Sequence, residues 1–563
     1  MIPSLTPSDL GFLPKFHSWR PGQLLAIDRG LKSTHRFVAH SMPVGEGKSG
    51  YYILHALLAA KRACILTSSK ALQTQLSDDF SCIGLVDMRG RNNYRCEHPD
   101  CATHTCEEGQ YHKCDPQECE YEQARNSMLS APLVVSNYSY YMLSNLYGRG
   151  MGAFDMLILD EAHGADDEVC AAASLNITFA EANKIGHRLP HEEDGMPAWV
   201  EWAEEVAKIA TDRLKDLRAD VDVEKRTRGK VHPATAKDLK FWTVVGDKCK
   251  VILETALDSL DGKAPPEWSV SRTRDGYHLE PIWAYQYTEK LLFRGIPKII
   301  LVSATMVPKT MSLLGIPKGE ADYYEYPSSF PPKSSPVYLF GAAKIDHRTD
   351  SDQLQIWMSR IDNVIRHRLD RKGIIHCVSY DRGKYIKEYS EWYNYLVFPE
   401  NGRETRKCID IFNASEAPRY LISPAITEGL DFPYSRCELN IIAKVPFLDT
   451  RDKIIAARNH EDKDYSAYVT AQTIVQAHGR SMRAADDRSE TFVMDAHFNW
   501  FFYRNRHLFP SWFHRLVTKP KGMPEPPAPL NRGAVLLTSQ PPAESIDDSR
   551  VSNIVEFPKS KIV

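Results

Sequence analysis

The sequence has no long hydrophobic run and no surplus of charge of one sign. No stretch approaches the ~18 consecutive apolar residues of a membrane-spanning helix, and Met1 to Phe16 has neither the basic start nor the apolar run of a signal peptide. Seventy Lys and Arg residues stand against 73 Asp and Glu, a formal net charge of −3. We therefore expect a cytoplasmic protein without a membrane partner, in which any nucleic-acid surface is a local groove.

The composition also lacks the bias of a disordered, fibrous or coiled-coil chain, with 43% hydrophobic and 25% charged residues. A length of 563 residues corresponds to about three to four domains. Short β-branched runs alternate with helical stretches, which is typical of parallel sheets covered by helices. The predicted strands are Arg36–Ala39, Ala63–Thr67, Pro132–Ser136, Asp155–Leu159 and Lys298–Val302, then Val337–Phe340, Gly373–Val378, Tyr395–Phe398, Arg419–Ser423, Glu438–Ala443 and Thr491–Met494. Two α/β lobes in tandem are predicted.

Between the predicted strand Asp155–Leu159 and the one that starts at Lys298, the spacing of the apolar residues becomes helical. Val206 to Val221 and Trp242 to Leu260 each place apolar residues on one helix face, and Pro265 and Pro266 end the pattern. We interpret 165–285 as a mostly helical insertion. Eight of the residues from Lys519 to the end are Pro, which indicates a flexible tail that could bind a protein partner.

Cysteine is concentrated in one segment, where five of the 12 residues lie: Cys96, Cys101, Cys106, Cys114 and Cys119. In a reducing compartment, this density favours a metal site over disulfides.

A phosphate-binding loop is predicted at Met42-Pro-Val-Gly-Glu-Gly-Lys-Ser, between a strand and a helical run. Gly45 and Gly47 would let backbone N–H groups approach phosphates, Lys48 would reach the β- and γ-phosphates, and Ser49 would ligate Mg²⁺. Met42 stands where the usual pattern has its first Gly. A glycine-rich turn without catalytic meaning is the alternative.

Two carboxylates follow the apolar run Leu157 to Leu159. Asp160 is suited to hold Mg²⁺, and Glu161 to orient or deprotonate the attacking water. In the second lobe, Arg480 and Arg483 are three residues apart, so both could reach a γ-phosphate as arginine fingers. The structural alternatives are a solvated helix start for the carboxylates and a solvated basic face for the arginines.

Together, these motifs resemble those of the XPD/DinG group of superfamily 2, the iron–sulfur DEAH-type DNA helicases, with compact viral members among the nearest. The motifs stand in the family's order across about residues 16–498: Phe16, Arg20 and Gln23; Met42 to Ser49; Thr67-Ser-Ser69; Asp160-Glu-Ala-His163; Ser303-Ala-Thr305; Gly373 to Ser379; Thr427-Glu-Gly-Leu-Asp431; and Gln476 to Arg483. A viral member would act in the host cytoplasm.

The resemblance implies two RecA-like lobes that hydrolyse Mg-ATP while moving 5′ to 3′ on single-stranded DNA and unwinding duplex or forked DNA. It implies adenine contacts for Arg20 and Gln23, and catalytic roles for Lys48, Asp160, Glu161, His163, Gln476, Arg480 and Arg483. Ser303 and Thr305 would couple hydrolysis to nucleic-acid contact, and Gly429 and Asp431 would lie near the nucleotide and the strand.

For the cysteines, the resemblance implies a [4Fe–4S] cluster held by Cys96, Cys106, Cys114 and Cys119, with Cys101 as the alternate ligand. Zinc held by four Cys stays open. The nearby tyrosines Tyr138, Tyr140 and Tyr141 could stack on bases, although packing in the core is the more common role.

The expected domains combine these elements. They are 1–90, first lobe with the P-loop; 91–125, iron–sulfur insert; 126–164, first lobe with the DEAH box; 165–285, helical arch-like insert; 286–330, first lobe with the Ser-Ala-Thr motif; 331–518, second lobe; and 519–563, tail. The rival functions are a translocase or remodelling ATPase without strand separation, and a catalytically silent, zinc-containing nucleic-acid-binding module.

Overall fold

The computed structural model describes residues 6–98, 101, 103–110, 115, 117–229, 231–258, 268–329, 331–424, 437–479 and 488–526. Within them the strands are β1 (Phe37–Ser41), β2 (Ala63–Thr67), β3 (Leu85–Asp87), β4 (Leu133–Asn137), β5 (Met156–Asp160), β6 (Leu175–Thr178), β7 (Trp268–Arg272), β8 (Gly276–Pro281), β9 (Lys298–Ser303), β10 (Ala321–Glu325), β11 (Val337–Ala343), β12 (Lys372–His376), β13 (Leu396–Val397), β14 (Arg419–Ser423), β15 (Leu439–Ile442), β16 (Glu490–Asp495) and β17 (Val517–Thr518).

The helices cover both faces of the sheets and build the insert. They are α1 (Pro21–Lys32), α2 (Lys48–Ala59), α3 (Lys70–Phe80), α4 (Cys106–Gly109), α5 (Glu120–Ser130), α6 (Tyr138–Tyr147), α7 (Ala165–Ala173), α8 (Phe179–Ile185), α9 (Gly195–Arg228), α10 (Pro233–Asp258), α11 (Tyr285–Thr288), α12 (Pro308–Leu313), α13 (Ser351–Arg366), α14 (Tyr380–Tyr389), α15 (Thr405–Ala414), α16 (Lys453–Glu461), α17 (Tyr465–Gly479), α18 (His497–Arg504) and α19 (Ser511–His514). No helix among these residues is long and apolar enough to cross a membrane.

The first lobe is a parallel sheet in the order β10-β1-β9-β5-β2-β4-β3. Its central strands β1, β2 and β5 are buried along their whole length, as expected of a parallel sheet covered on both faces. The order makes β1, β9 and β5 neighbours, so the residues that follow these strands meet at one edge of the sheet. This edge carries the P-loop, Ser303 and Asp160.

The second lobe is a parallel sheet in the order β13-β14-β12-β15-β16-β11-β17. The fold class predicted from the sequence, two α/β lobes with parallel sheets, is confirmed. The pattern missed β3 and β10: β3 has three residues, and β10 is a half-buried strand at the sheet edge, so neither forms an apolar run.

The insert contains the two predicted helices, α9 and α10, packed as an antiparallel hairpin around buried Trp199, Trp202 and Trp242. Sequence reasoning missed its three-stranded antiparallel sheet, β6-β8-β7, because all three strands lie inside the segment 165–285 that was interpreted as mostly helical. The strand β8 pairs with β6 from Leu175↔Leu279 to Thr178↔Gly276.

The two lobes pack directly against each other through a shared apolar cluster. It joins Ala304 and Leu313 of the first lobe to Tyr468 and Trp512 of the second. The Trp512 indole N–H donates to the Ala304 carbonyl oxygen (2.9 Å), and the hydroxyls of Thr310 and Tyr468 are 2.8 Å apart. The lobe interface therefore lies beside the Ser303-Ala-Thr305 motif.

His478 is buried in the second lobe, between the hydroxyls of Ser335 (2.8 Å) and Thr491 (2.9 Å). Burial lowers the pKa of His478 to about 4.

A neutral buried histidine contributes stability above its unfolded pKa of ~6.5, and this contribution is lost as the pH falls toward the folded pKa. We expect the stability advantage of wild type over His478→Gln to shrink by about 2 kcal/mol between pH 7.5 and pH 5, as measured by urea unfolding. The control is His507→Gln at an exposed site, and parallel pH profiles for wild type and His478→Gln would contradict the expectation.

Candidate active site

The P-loop turns between β1 and α2. Gly45 (φ 79°) and Gly47 (φ 75°) are left-handed, a conformation that disfavours side chains, and Lys48 begins α2. The Gln23 amide donates to the Gly47 carbonyl oxygen (2.6 Å), and a Cβ at Gly47 would lie only 2.6 Å from the Gln23 nitrogen. The loop thus leaves its N–H groups at a helix N-terminus, the geometry that binds phosphate.

Met42 departs from the usual motif without disturbing this loop. Its backbone N–H donates to the Ser303 carbonyl oxygen (3.1 Å), so the chain extends the pairing of β1 with β9. Its side chain is fully buried in the core of the lobe. A glycine is not needed here, because the backbone of Met42 is not left-handed.

The two carboxylates at the end of β5 have different surroundings. Lys48 Nζ lies 3.1 Å from Glu161 Oε1. Burial disfavours ionisation of Glu161, but the charge of Lys48 and the contact with His163 outweigh it, so its pKa lies well below the usual range. Burial and the neighbouring Glu161 raise the pKa of Asp160. Glu161 is therefore held ionised by its cationic neighbours, whereas burial and the charge of Glu161 oppose the ionisation of Asp160.

Asp160 and Ser49 lie close enough together to share a partner. The Tyr52 hydroxyl donates to Asp160 Oδ2 (3.1 Å) and also contacts the Ser49 side chain. A carboxylate and a hydroxyl beside a phosphate loop are oxygen ligands of the kind Mg²⁺ prefers, so these residues fit the ion.

His163 connects the carboxylates to both lobes. Its Nδ1 lies 2.9 Å from the Ser303 hydroxyl and 3.4 Å from Glu161 Oε2. Its Nε2 lies 3.2 Å from the Gln476 amide, which also donates to the Thr305 hydroxyl (3.3 Å). A hydrogen-bonded network therefore runs from Glu161 to α17 of the second lobe.

Arg20 and Gln23 stand at the start of α1, beside the P-loop. The Arg20 backbone N–H donates to Gln23 Oε1 (2.7 Å). Arg20 Nη1 is buried with no hydrogen-bond partner in the described part of the chain. Their predicted contact with adenine stays a prediction.

Several predicted residues lie outside the described residues: Cys114, Gly429, Asp431, Arg480 and Arg483. The helix α17 ends at Gly479, where a Cβ would come within 2.8 Å of Val44 of the P-loop. The end of α17 thus packs against the nucleotide loop.

Sequence reasoning missed Tyr52 and assigned another possible role to Tyr138. Tyr138 and Tyr141 are buried in the core, and the Tyr138 hydroxyl donates to the Asp160 backbone carbonyl (3.0 Å). These two rings therefore pack in the core, which was the alternative interpretation of the tyrosines. Tyr52 lies four residues, or one helical turn, after Lys48, on the face of α2 toward the sheet. This spacing was the signal by which the sequence could have identified Tyr52 as a site residue.

Four cysteines of the cluster lie in the described residues: Cys96, Cys101, Cys106 and Cys119. Cys106 Sγ is 3.9 Å from Cys119 Sγ and accepts a hydrogen bond from Arg91 Nη1 (3.2 Å). Buried Cys96 packs against Gly109, and a Cβ at Gly109 would lie 4.0 Å from Cys101 Sγ. Among the described residues, no three potential ligands are close enough to hold a metal ion. Thiolates fit iron–sulfur or zinc chemistry, and the ligand set stays a prediction.

Comparison with known proteins agrees with this architecture. Residues 365–515 match the family model of the helicase C-terminal domain. A solved XPD helicase aligns with TM-score 0.60 and 15% identity over 90% of this chain and 100% of the other. The Xpd4 protein of S. tokodaii aligns with TM-score 0.52 and 11% identity over 89% of this chain and 100% of its own. No curated protein shows a significant match. The chain therefore contains a helicase C-terminal domain in residues 365–515 and has the fold of solved XPD helicases along most of its length.

Proposed function

We propose that the protein is a DEAH-type, ATP-dependent DNA helicase. It couples Mg-ATP hydrolysis to 5′-to-3′ movement on single-stranded DNA and to separation of duplex or forked DNA. The observation that carries the proposal is the network from Lys48 and Glu161 through His163 to Gln476. It joins the residues suited to hydrolysis to the second lobe.

The ion pair of Lys48 and Glu161 suggests how nucleotide binding prepares hydrolysis. Triphosphate binding at the P-loop would draw Lys48 toward the β- and γ-phosphates. Glu161 then loses its cationic partner, and because burial opposes its ionisation, its pKa rises. A carboxylate with a higher pKa accepts a proton from the attacking water more readily. Mg²⁺ held by Ser49 and Asp160 would neutralise developing phosphate charge.

His163 and Gln476 would relay this change to the second lobe. Glu161 Oε2 lies within reach of both the Ser303 hydroxyl (3.3 Å) and His163 (3.4 Å), so a shift of Glu161 alters two hydrogen bonds of the network. Arg480 and Arg483, which follow α17, would complete the site as arginine fingers, and Arg20 and Gln23 would bind the adenine. Gly429 and Asp431 would lie near the nucleotide and the strand.

The decisive assay compares ATP hydrolysis with and without single-stranded DNA, then unwinding of duplexes with 5′ or 3′ tails. We expect stimulation by DNA, and unwinding of the 5′-tailed duplex only. Stimulation without unwinding would favour a translocase, and stimulation by RNA alone would overturn the assignment to DNA.

We further propose that the cysteine cluster, with ligands Cys96, Cys106, Cys114 and Cys119, holds a [4Fe–4S] cluster. Protein purified without oxygen should contain about four irons and four acid-labile sulfides per chain and absorb visible light. Cys106→Ser should lose iron and unwinding but retain nucleotide binding, and Cys82→Ser, at an exposed cysteine outside the segment, is the matched control. Stoichiometric zinc in a colourless protein would contradict the iron–sulfur assignment.

A further inference from the structure

Two exposed aromatic side chains on the second lobe take no part in the nucleotide site. Phe447, which follows β15, is 38% exposed, and Trp500 of α18 is 45% exposed. Their rings are nearly parallel, at 13°, with centroids 6.3 Å apart. We call this pair the aromatic platform. One helical turn beyond Trp500, Tyr503 is 63% exposed.

The aromatic platform is held rigidly from below. The buried ring of Phe501 packs edge-to-face against Phe447 (5.4 Å, 81°) and against Trp500 (6.0 Å, 82°). The His497 ring meets Phe447 at 89°. Side chains already fixed by packing lose little conformational entropy when a ligand binds.

Asp495 ties the loops around the platform to one another. Its carboxylate accepts hydrogen bonds from the backbone N–H groups of Ile345 (3.2 Å), Val445 (3.1 Å) and His497 (2.9 Å). These residues follow β11, β15 and β16, so three loops are joined at the carboxyl edge of the sheet. This edge is where ligands of open parallel sheets bind.

The loops around the platform carry charges of both signs, and Asp346 Oδ2 lies 3.9 Å from His497 Nε2. Asp350 and Asp452 cap α13 and α16, and Asp449 pairs with Arg451 (2.9 Å), so these carboxylates are already engaged. Lys344 is exposed, and Lys444 is half-buried at the same edge. Lys444 also lies near Asp346 and Asp495, so the exposed Lys344 is the more accessible cation for a phosphate.

We propose that the aromatic platform stacks on a base of single-stranded nucleic acid while Lys344 and Lys444 bind the adjoining phosphates. The inference rests on the proposed function and adds a base-contacting subsite to it. Exposed aromatic faces beside cations are the usual means of holding single strands without sequence preference, because every base has a π-face.

The test measures binding of two fluorescent probes, an oligothymidylate and an abasic strand of equal length. Trp500→Ala should weaken oligothymidylate binding about 10-fold and leave abasic binding unchanged, because only stacking is lost. Trp500→Phe should restore most of the affinity. Lys344→Ala should weaken both probes and reduce the salt dependence of binding. The control is Tyr389→Ala, a similarly exposed aromatic at the C-terminal end of α14, hence at the opposite edge of the sheet.

The outcomes separate the platform from the proposed function. If wild type binds both probes and Trp500→Ala binds oligothymidylate equally well, the platform is overturned while the proposed function stands. Equal loss for both probes in Trp500→Ala also overturns it, since stacking cannot weaken an abasic strand. If wild type binds neither probe, the proposed function fails and the platform with it.

Discussion

Glu161→Gln should lower the rate of ATP turnover by about 10²–10⁴-fold, the usual contribution of a positioned general base. Glutamine keeps the shape of the side chain and its hydrogen bonding to Ser303, but it cannot accept the proton of the attacking water. Nucleotide binding should be retained, because the P-loop geometry depends on Gly45, Gly47 and Lys48. Steady-state phosphate release and fluorescent-ATP binding measure the two effects separately.

Two variants serve as controls for Glu161→Gln. Lys48→Ala should lose nucleotide binding as well as turnover, because the β- and γ-phosphates lose their cation. Glu320→Gln, at an exposed site of the first lobe, should change neither. Near-normal turnover in Glu161→Gln would mean that another group activates the water, and the proposed mechanism would be wrong.

Glu490→Gln should destabilise the second lobe by about 3–5 kcal/mol, because it breaks a fully buried ion-paired cluster. Glu490 and Arg368 are completely buried, Arg368 Nη2 lies 2.9 Å from Glu490 Oε2, and Arg371 Nη1 lies 3.5 Å from Glu490 Oε1. The neutral amide leaves the buried Arg368 guanidinium without its carboxylate, whereas Arg371 keeps its pair with Asp370 (2.8 Å). Calorimetric unfolding should show the loss as a lower melting temperature.

The matched control is Glu391→Gln, which removes a carboxylate 2.8 Å from Arg366 where both side chains are about half exposed. Here the expected loss is at most about 1 kcal/mol, because water screens the pair. If the two variants lose equal stability, burial is not the cause. The double variant Arg368→Met/Glu490→Leu should lose less than Glu490→Gln, since it leaves fewer charges unpaired.

The sequence alone was sufficient to predict the two parallel-sheet lobes. Their central strands are continuous apolar runs, and burial on both faces requires that pattern locally. The glycine-rich turn before α2 and the position of Asp160 at the end of a buried strand, followed by Glu161, were also predictable, since both patterns are local in the sequence. Edge strand β10 and the sheet β6-β8-β7 were not, because their residues are partly exposed and pair with partners distant in the chain.

Only the tertiary structure decided which side chains meet across long separations. Lys48 and Glu161, and His163 and Gln476, are brought together by the strand order β1-β9-β5 and by the packing of α17 against the first lobe. The tertiary structure also places Met42 in the core and the Tyr138 hydroxyl in a hydrogen bond with the backbone of Asp160. The local sequence specifies the spacing of apolar residues in a segment and the functional groups that the segment carries. Contacts between distant segments depend on the global packing, which no single motif encodes.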